Sequence, residues 1–196
     1  MHIGLLTPDD ITSATLLHYK TMPDLSSRIG PSFVKSYYSL ILRHPEVFYC
    51  FGMREKNRLY GLILGTSDYS GSKKLLKKLY TIKNMMKLFY SVISGKVAIT
   101  RVIARIRFEN AINTHITENY GYINSLVVKA EVQRRGIGKI LLSNIIKKFR
   151  QTSRKYAFVD TRAEFTNASA FYKSQGFEEI YSSDGSVLLK RNISVA

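Results

Sequence analysis

The chain has 196 residues, enough for one domain that encloses its own core without metals or disulfides, and its 45% hydrophobic and 12% aromatic content excludes a disordered polypeptide. A formal charge of +16 favours anionic partners: a phosphorylated cofactor, a nucleotide-linked substrate, nucleic acid or an acidic membrane. The single cysteine, Cys50, excludes an internal disulfide and a cysteine-based metal cluster, and it suits a reducing compartment, so a cytoplasmic location is expected.

The N-terminal MHIGLLTPDD lacks the charged-then-apolar order of a signal peptide, and no apolar run approaches the roughly 18 residues of a membrane span, so no transmembrane segment is expected. The opening residues read as a short strand, and TPDD supplies turn and capping residues before ITSATLLHYK, whose apolar positions recur at helical spacing. After Gly30, PSFVKSYYSLIL begins with proline at a first helical position. VFYCFGM and RLYGLILGTS, separated by the polar REKN, read as an antiparallel hairpin. KKLLKKLYTIKNMMKLFYSVI then reads as one basic amphipathic helix over residues 73–93. Leu75, Leu76, Leu79, Ile82, Met86, Phe89 and Ile93 share a face, which ordinarily turns toward a core, and the lysines lie largely elsewhere. KVAITRVIARIRF has helical spacing but β-branched content, and is helix or strand on pattern alone.

The C-terminal half alternates more plainly. YINSLVV is a strand, GKILLSNIIKKF a helix with Ile140, Leu141, Ile145 and Phe149 toward a core, and YAFVDTR another strand. NASAFYKSQ is a short helix ended by Gly176, and FEEIYSS with SVLLKR makes a hairpin turning at Asp184-Gly185. The expected fold is a single α/β domain over residues 1–196. It has a mixed sheet flanked by helices, with a basic helical segment at about 71–118.

The stretch QRRGIGKILL joins a strand to a helix through two glycines and two arginines, a place where an anion can approach the backbone. A P-loop is excluded, because Gln133 and Ile140 stand where it needs glycine and a hydroxyl. A dinucleotide fingerprint is excluded because Leu141 stands at its third glycine. What remains, LVVKAEVQRRGIGKILL followed later by ASAFYKSQGF, resembles the two signatures of the GNAT superfamily of N-acyltransferases in order and separation. The resemblance covers nearly the whole chain except the basic stretch between Gly71 and Glu118.

That resemblance implies a mixed, mostly antiparallel sheet whose middle strands splay apart, with the basic helical segment at about 71–118 as an insertion, and an acyl-CoA donor, acetyl-CoA first, lying in the gap. The segment Leu126, Val127 and Val128 would run along the donor, with backbone groups of Leu126 and Val128 pairing to its pantetheine arm and the Val128 N–H polarising the thioester carbonyl. Gln133, Arg134, Arg135, Gly136, Ile137, Gly138 and Lys139 would surround its phosphates, reinforced by the following helix dipole. Tyr172 matches the family's tyrosine and is implied to protonate the leaving thiolate. The family's pantetheine-contacting Asn is replaced by Phe165; Asn167, two residues on, either substitutes for it or caps the short helix. A general base is not singled out among Glu109, His115, Glu118, Asp160 and Glu164. His2, His18 and His44 show no ligand spacing, so no metal is expected.

The acceptor side falls to TMPDLSSRIGPSFVKSYY, which supplies Arg28, Phe33, Tyr37 and Tyr38 and is similar to the corresponding stretch of family members that acylate amino sugars. The leading expectation is therefore an N-acetyltransferase for a small-molecule amine, with a nucleotide-linked amino sugar suiting the positive charge. A protein or peptide acetyltransferase is the alternative. So is a non-enzymatic basic module that contacts nucleic acid or a membrane peripherally through residues 73–93.

Overall fold

The computed structural model describes residues 1–95, 97–116 and 119–194. Its seven strands are β1 (His2–Leu5), β2 (Phe48–Glu55), β3 (Arg58–Thr66), β4 (Tyr120–Val128), β5 (Tyr156–Arg162), β6 (Glu178–Ser183) and β7 (Ser186–Asn192). They form one sheet in the order β1-β2-β3-β4-β5-β7-β6, antiparallel at every join except the parallel pair β4 and β5. Both expected hairpins form. The second turns at Asp184 and Gly185, both at positive φ (51° and 70°), which matches the twist of the flanking strands.

One face of the sheet carries α7 (Ile137–Gln151) and α8 (Thr166–Ser174). Leu141, Ile145 and Phe149 of α7 are fully buried as expected. Ile140 is instead 44% exposed, and Leu142 and Ile146, one position on, complete the buried arc. The helix lies close because the sheet beneath it is shaved: an added Cβ on Gly121 of β4 would meet Phe149 Cγ at 2.3 Å, and one on Gly65 of β3 would meet its Cζ at 2.9 Å. Missing side chains on two adjacent strands thus form the seat of one aromatic ring.

The other face carries α1 (Ile11–Thr21), α2 (Leu25–Ile29) and α3 (Pro31–Ile41) over β2 to β4. The sequence pattern did not show α2; it starts where Asp24 accepts from the Ser27 amide (2.9 Å), an N-cap bond that satisfies a free helix N–H. Between β3 and β4 lie α4 (Tyr69–Leu76), α5 (Ile82–Ile93) and α6 (Ile99–His115). The ambiguous basic-apolar stretch is therefore helix. Burial of Phe108 and Ile112 against Tyr122, Phe158 and Leu188 outweighs its β-branched composition.

The single helix expected over residues 73–93 does not form. After α4 and a short 3-10 turn at Lys77–Leu79, the chain leaves helical geometry at Tyr80, and Thr81 starts α5 by accepting from the Asn84 amide (3.3 Å). The expected inward face is also reversed. Asn84 and Ser91 are buried, while Ile82, Met86, Phe89 and Ile93 face outward. Asn84 Nδ2 donates to the Leu79 carbonyl (2.8 Å), so this buried polar residue closes the end of the preceding turn and fixes which way the helix points.

Candidate active site

The parallel pair β4 and β5 is joined only from Tyr120 to Ile123 on β4 and from Tyr156 to Val159 on β5. Beyond that point each strand continues beside its outer neighbour alone, β4 with β3 as far as Val128 and β5 with β7 as far as Arg162. The sheet is parted in its middle. A bulge in β4 at Asn124 coincides with the parting: Leu64 pairs with Ser125 and Gly65 with Ile123, leaving Asn124 as the extra residue, its Oδ1 buried without a hydrogen-bond partner.

The direction of the β4 backbone along this gap follows from its far end. The Lys129 N–H donates to the Tyr60 carbonyl of β3 (2.9 Å), and backbone groups alternate sides along a strand. Val128 and Leu126 therefore turn their N–H and C=O toward the gap. Gln133 Nε2 donates to the Val128 carbonyl (2.9 Å), so the Gln133 side chain braces the loop against the strand and leaves the Val128 N–H. Val127, between them, points its backbone at Leu62 of β3 and buries its side chain under α1 and α3.

The loop after β4 then presents donors. Arg134 and Gly136 adopt positive φ (61° and 79°), which turns successive amides the same way. The first backbone bond of α7 runs from Ile140 to the Gly136 carbonyl. Among the described residues nothing accepts from the amides of Arg134, Arg135, Gly136, Ile137, Gly138 or Lys139. Arg134, Arg135 and Lys139 are exposed, and among the described residues none is ion-paired. Six donors at a helix start, flanked by three cations, suit a diphosphate.

The two sequence motifs touch. An added Cβ on Gly138 would lie 3.4 Å from the Phe171 ring of α8 and 4.0 Å from Leu126, ordinary van der Waals contact, so α8 packs directly on the loop with room for little more than a methyl group. Tyr172 follows, buried, with Phe171 and Phe177 edge-on at 5.3 and 5.4 Å. Burial, and secondarily the Asp160 charge, push its phenol above the ordinary value, so it stays protonated at neutral pH. Asn167 is exposed and lies inside α8, whose N-cap is Phe165, so the capping alternative for Asn167 is not what forms.

On the opposite face of the sheet two polar clusters flank the gap. In one, Arg105 of α6 binds Asp160 of β5 and, through Nε, Glu109 (2.6 Å), and the Tyr122 hydroxyl donates to Asp160. Asp160 is the first β5 residue past the last one paired with β4. Of the other candidate bases, Glu164 pairs with Arg162 (3.2 Å) and Arg101 (3.8 Å), His115 stacks on Tyr181, and Glu118 lies outside the described residues. Sequence spacing did not reveal the second cluster. His18, 2% exposed, bonds Tyr38 Oη through Nδ1 (2.9 Å) and Asp24 through Nε2 (3.1 Å), and Ser26 donates to Asp24 (2.8 Å). Burial alone would raise the Asp24 pKa, but the hydrogen bond and charge of His18 with the Ser27 and Ser26 bonds outweigh it and hold the carboxyl below its ordinary value. Tyr38 is thus buried and committed to His18 rather than lining an acceptor surface. Half-buried Tyr37 packs edge-on against His18 (6.3 Å) and Tyr38 (5.5 Å) and lies within electrostatic reach of Asp24, Arg105 and Asp160.

A parted sheet, an amide-rich helix start and a buried phenol beside them suit an extended, phosphate-bearing acyl carrier. The sequence matches the acetyltransferase (GNAT) family over residues 17–177, and the chain belongs to that family. It is an N-acetyltransferase with acetyl-CoA as acyl donor. No curated protein matches the sequence significantly. The fold is similar to the ribosomal-protein-S18-alanine N-acetyltransferase of Escherichia coli (15% identity, TM-score 0.61, covering 100% of this chain and 95% of that one). It is similar also to the PaiA N-acetyltransferase of Thermoplasma acidophilum, whose structure holds coenzyme A (12%, TM-score 0.64, 98% and 99%). A third similar structure is an aminoglycoside 6'-acetyltransferase type Ii (10%, TM-score 0.64, 100% and 99%). Among the described residues no group of three His, Cys, Asp or Glu side chains is placed to hold a metal ion, and no helix is long and apolar enough to cross a membrane.

Proposed function

We propose that the chain acetylates the primary amine of a small anionic acceptor, with a nucleotide-linked amino sugar as the leading substrate class. The observation that carries this reading is the position of α6. It lies over the C-terminal half of the sheet face where the amine must enter, held to β5 by Arg105 on Asp160 and placed near Glu164 by Arg101. A sheet face covered by α6, on a chain of formal charge +16, suits a compact anion better than an extended basic peptide, which needs an open acidic groove.

In this reading acetyl-CoA supplies the thioester that the amine attacks. The amides of residues 134–139, with Arg134, Arg135 and Lys139, hold the diphosphate; Leu126 and Val128 pair with the pantetheine arm; Asn167 gives a polar contact at its rim. The Val128 N–H stabilises charge that develops on the carbonyl oxygen, a contribution of about 3–4 kcal/mol to the barrier for one such donor. Asp160, at the point where the strands part, takes the proton the amine loses, with Tyr122 and Arg105 fixing its orientation. Tyr172 protonates the departing sulfur, and its raised pKa keeps that proton available at pH 7. Coenzyme A release measured across amino-sugar nucleotides, unphosphorylated amino sugars and lysine-bearing peptides tests the acceptor class. Turnover of the nucleotides above the other two supports it, and turnover confined to peptides rejects it.

A further inference from the structure

Helix α5 is inverted. Its polar residues Asn84 and Ser91 are 7% and 3% exposed, whereas Ile82 is 82%, Met86 66%, Phe89 68%, Tyr90 67% and Ile93 68% exposed. These five lie on a single arc at helical spacing, so they form a continuous apolar stripe that the chain itself leaves uncovered. Lys83 of α5 borders it, and exposed Lys74, Lys77 and Lys78 precede it. No acidic residue occurs between Asp68 and Glu109.

Beside this helix lies a hollow along the outer side of α3, lined by Ser32, Lys35, Ser36, Arg43, His44 and Leu79. Lys87 of α5 reaches across and donates through Nζ to Ser32 Oγ (2.8 Å), which ties α5 to the rim of the hollow. Among the described residues the lining meets a carboxylate only through His44, whose Nδ1 pairs with exposed Glu46 (2.8 Å). Hydroxyls and cations in a concave site are what a phosphate headgroup needs.

We propose that α5 docks on an anionic lipid bilayer, its apolar stripe entering the acyl boundary while the lysines and the hollow along α3 meet phosphate headgroups. A second copy of the chain is a poorer occupant, because face-to-face packing of two α5 helices would bring their lysine borders together with no acidic residue in the segment to offset them. A membrane supplies both requirements at once, apolar depth and surface negative charge, and long lysine side chains extend to the headgroup level.

The test is sedimentation of the full chain with phosphatidylglycerol–phosphatidylcholine vesicles and with pure phosphatidylcholine vesicles, for the wild type and for M86S/F89S/I93S. These positions face solvent, so the variant is expected to keep the wild-type thermal midpoint and coenzyme A release. Expected are binding to anionic vesicles at least about tenfold tighter than to neutral ones, and a loss of about tenfold or more in the triple variant. Equal binding by wild type and variant reduces the contact to surface charge and overturns the proposal, as does absence of vesicle binding. Sedimentation equilibrium showing a wild-type dimer that the variant lacks, without vesicle binding, overturns it in favour of a second copy.

Discussion

Replacing Tyr172 by Phe removes one oxygen from a buried ring whose neighbours, Phe171 and Phe177, hold it by its edges and do not touch the hydroxyl chemically. Among the described residues no protein group hydrogen-bonds to that hydroxyl, so its removal strands no partner and costs the fold less than about 1 kcal/mol. Any larger loss of activity is therefore chemical. The phenol is raised above its ordinary pKa by burial and then by Asp160, so at pH 7 it is a neutral donor with its proton in place. A positioned general acid contributes about 10²- to 10⁴-fold, or roughly 2.7–5.4 kcal/mol of barrier. The assay is coenzyme A release at saturating amine, with calorimetry for acetyl-CoA affinity. Expected are a fall in kcat of that size and unchanged donor binding. The loss should shrink with an acyl donor whose thiol is more acidic, because a better leaving group needs less help. A kcat reduced by less than about threefold would refute the assignment, and a matching loss of acetyl-CoA affinity would make Tyr172 a packing residue instead.

Other outcomes follow from single contacts. Asp160→Asn should lower kcat by about 100-fold or more with acetyl-CoA affinity kept, while Glu109→Gln, which leaves Asp160 on Arg105 and Tyr122, should stay within a few-fold; equal effects from both would remove Asp160 as proton acceptor. Asp24→Asn should cost about 1–2 kcal/mol at pH 7 in urea unfolding. Because the folded pKa of Asp24 is depressed, its stabilisation is complete above the ordinary value of 3.8 and fades as pH falls through the lower folded value, so the two proteins should converge in acid; a constant gap would contradict the cause given for the shift. Gly121→Ala sets a methyl 2.3 Å from Phe149 and should destabilise by about 1–3 kcal/mol, partly recovered by adding Phe149→Leu; a thermal midpoint unchanged by the first substitution would show that the ring is not seated as described.

The elements of the proposed donor site are local in sequence, and for that reason their geometry was legible. A strand, QRRGIG and an apolar helix each state their geometry within about ten residues, and positive φ at Arg134 and Gly136 is the backbone consequence of the pattern. The acceptor side is built differently. His18, Tyr38, Arg105, Tyr122 and Asp160 come from five separate elements and Asp24 from the N-cap of a sixth, and no spacing rule relates residues that meet only because helices settle on one sheet face. Helix α5 shows the limit most sharply. Hydrophobic periodicity correctly placed Ile82, Met86, Phe89 and Ile93 on one face, but periodicity carries no sign: it says which residues travel together, not whether they travel inward. The sign was set by Asn84 bonding the Leu79 carbonyl, one hydrogen bond whose acceptor is the last residue of a preceding turn. A lysine-rich helix that turns its polar residues inward has given up apolar burial within its own fold, and that stripe gains its burial elsewhere only if a second apolar phase is at hand.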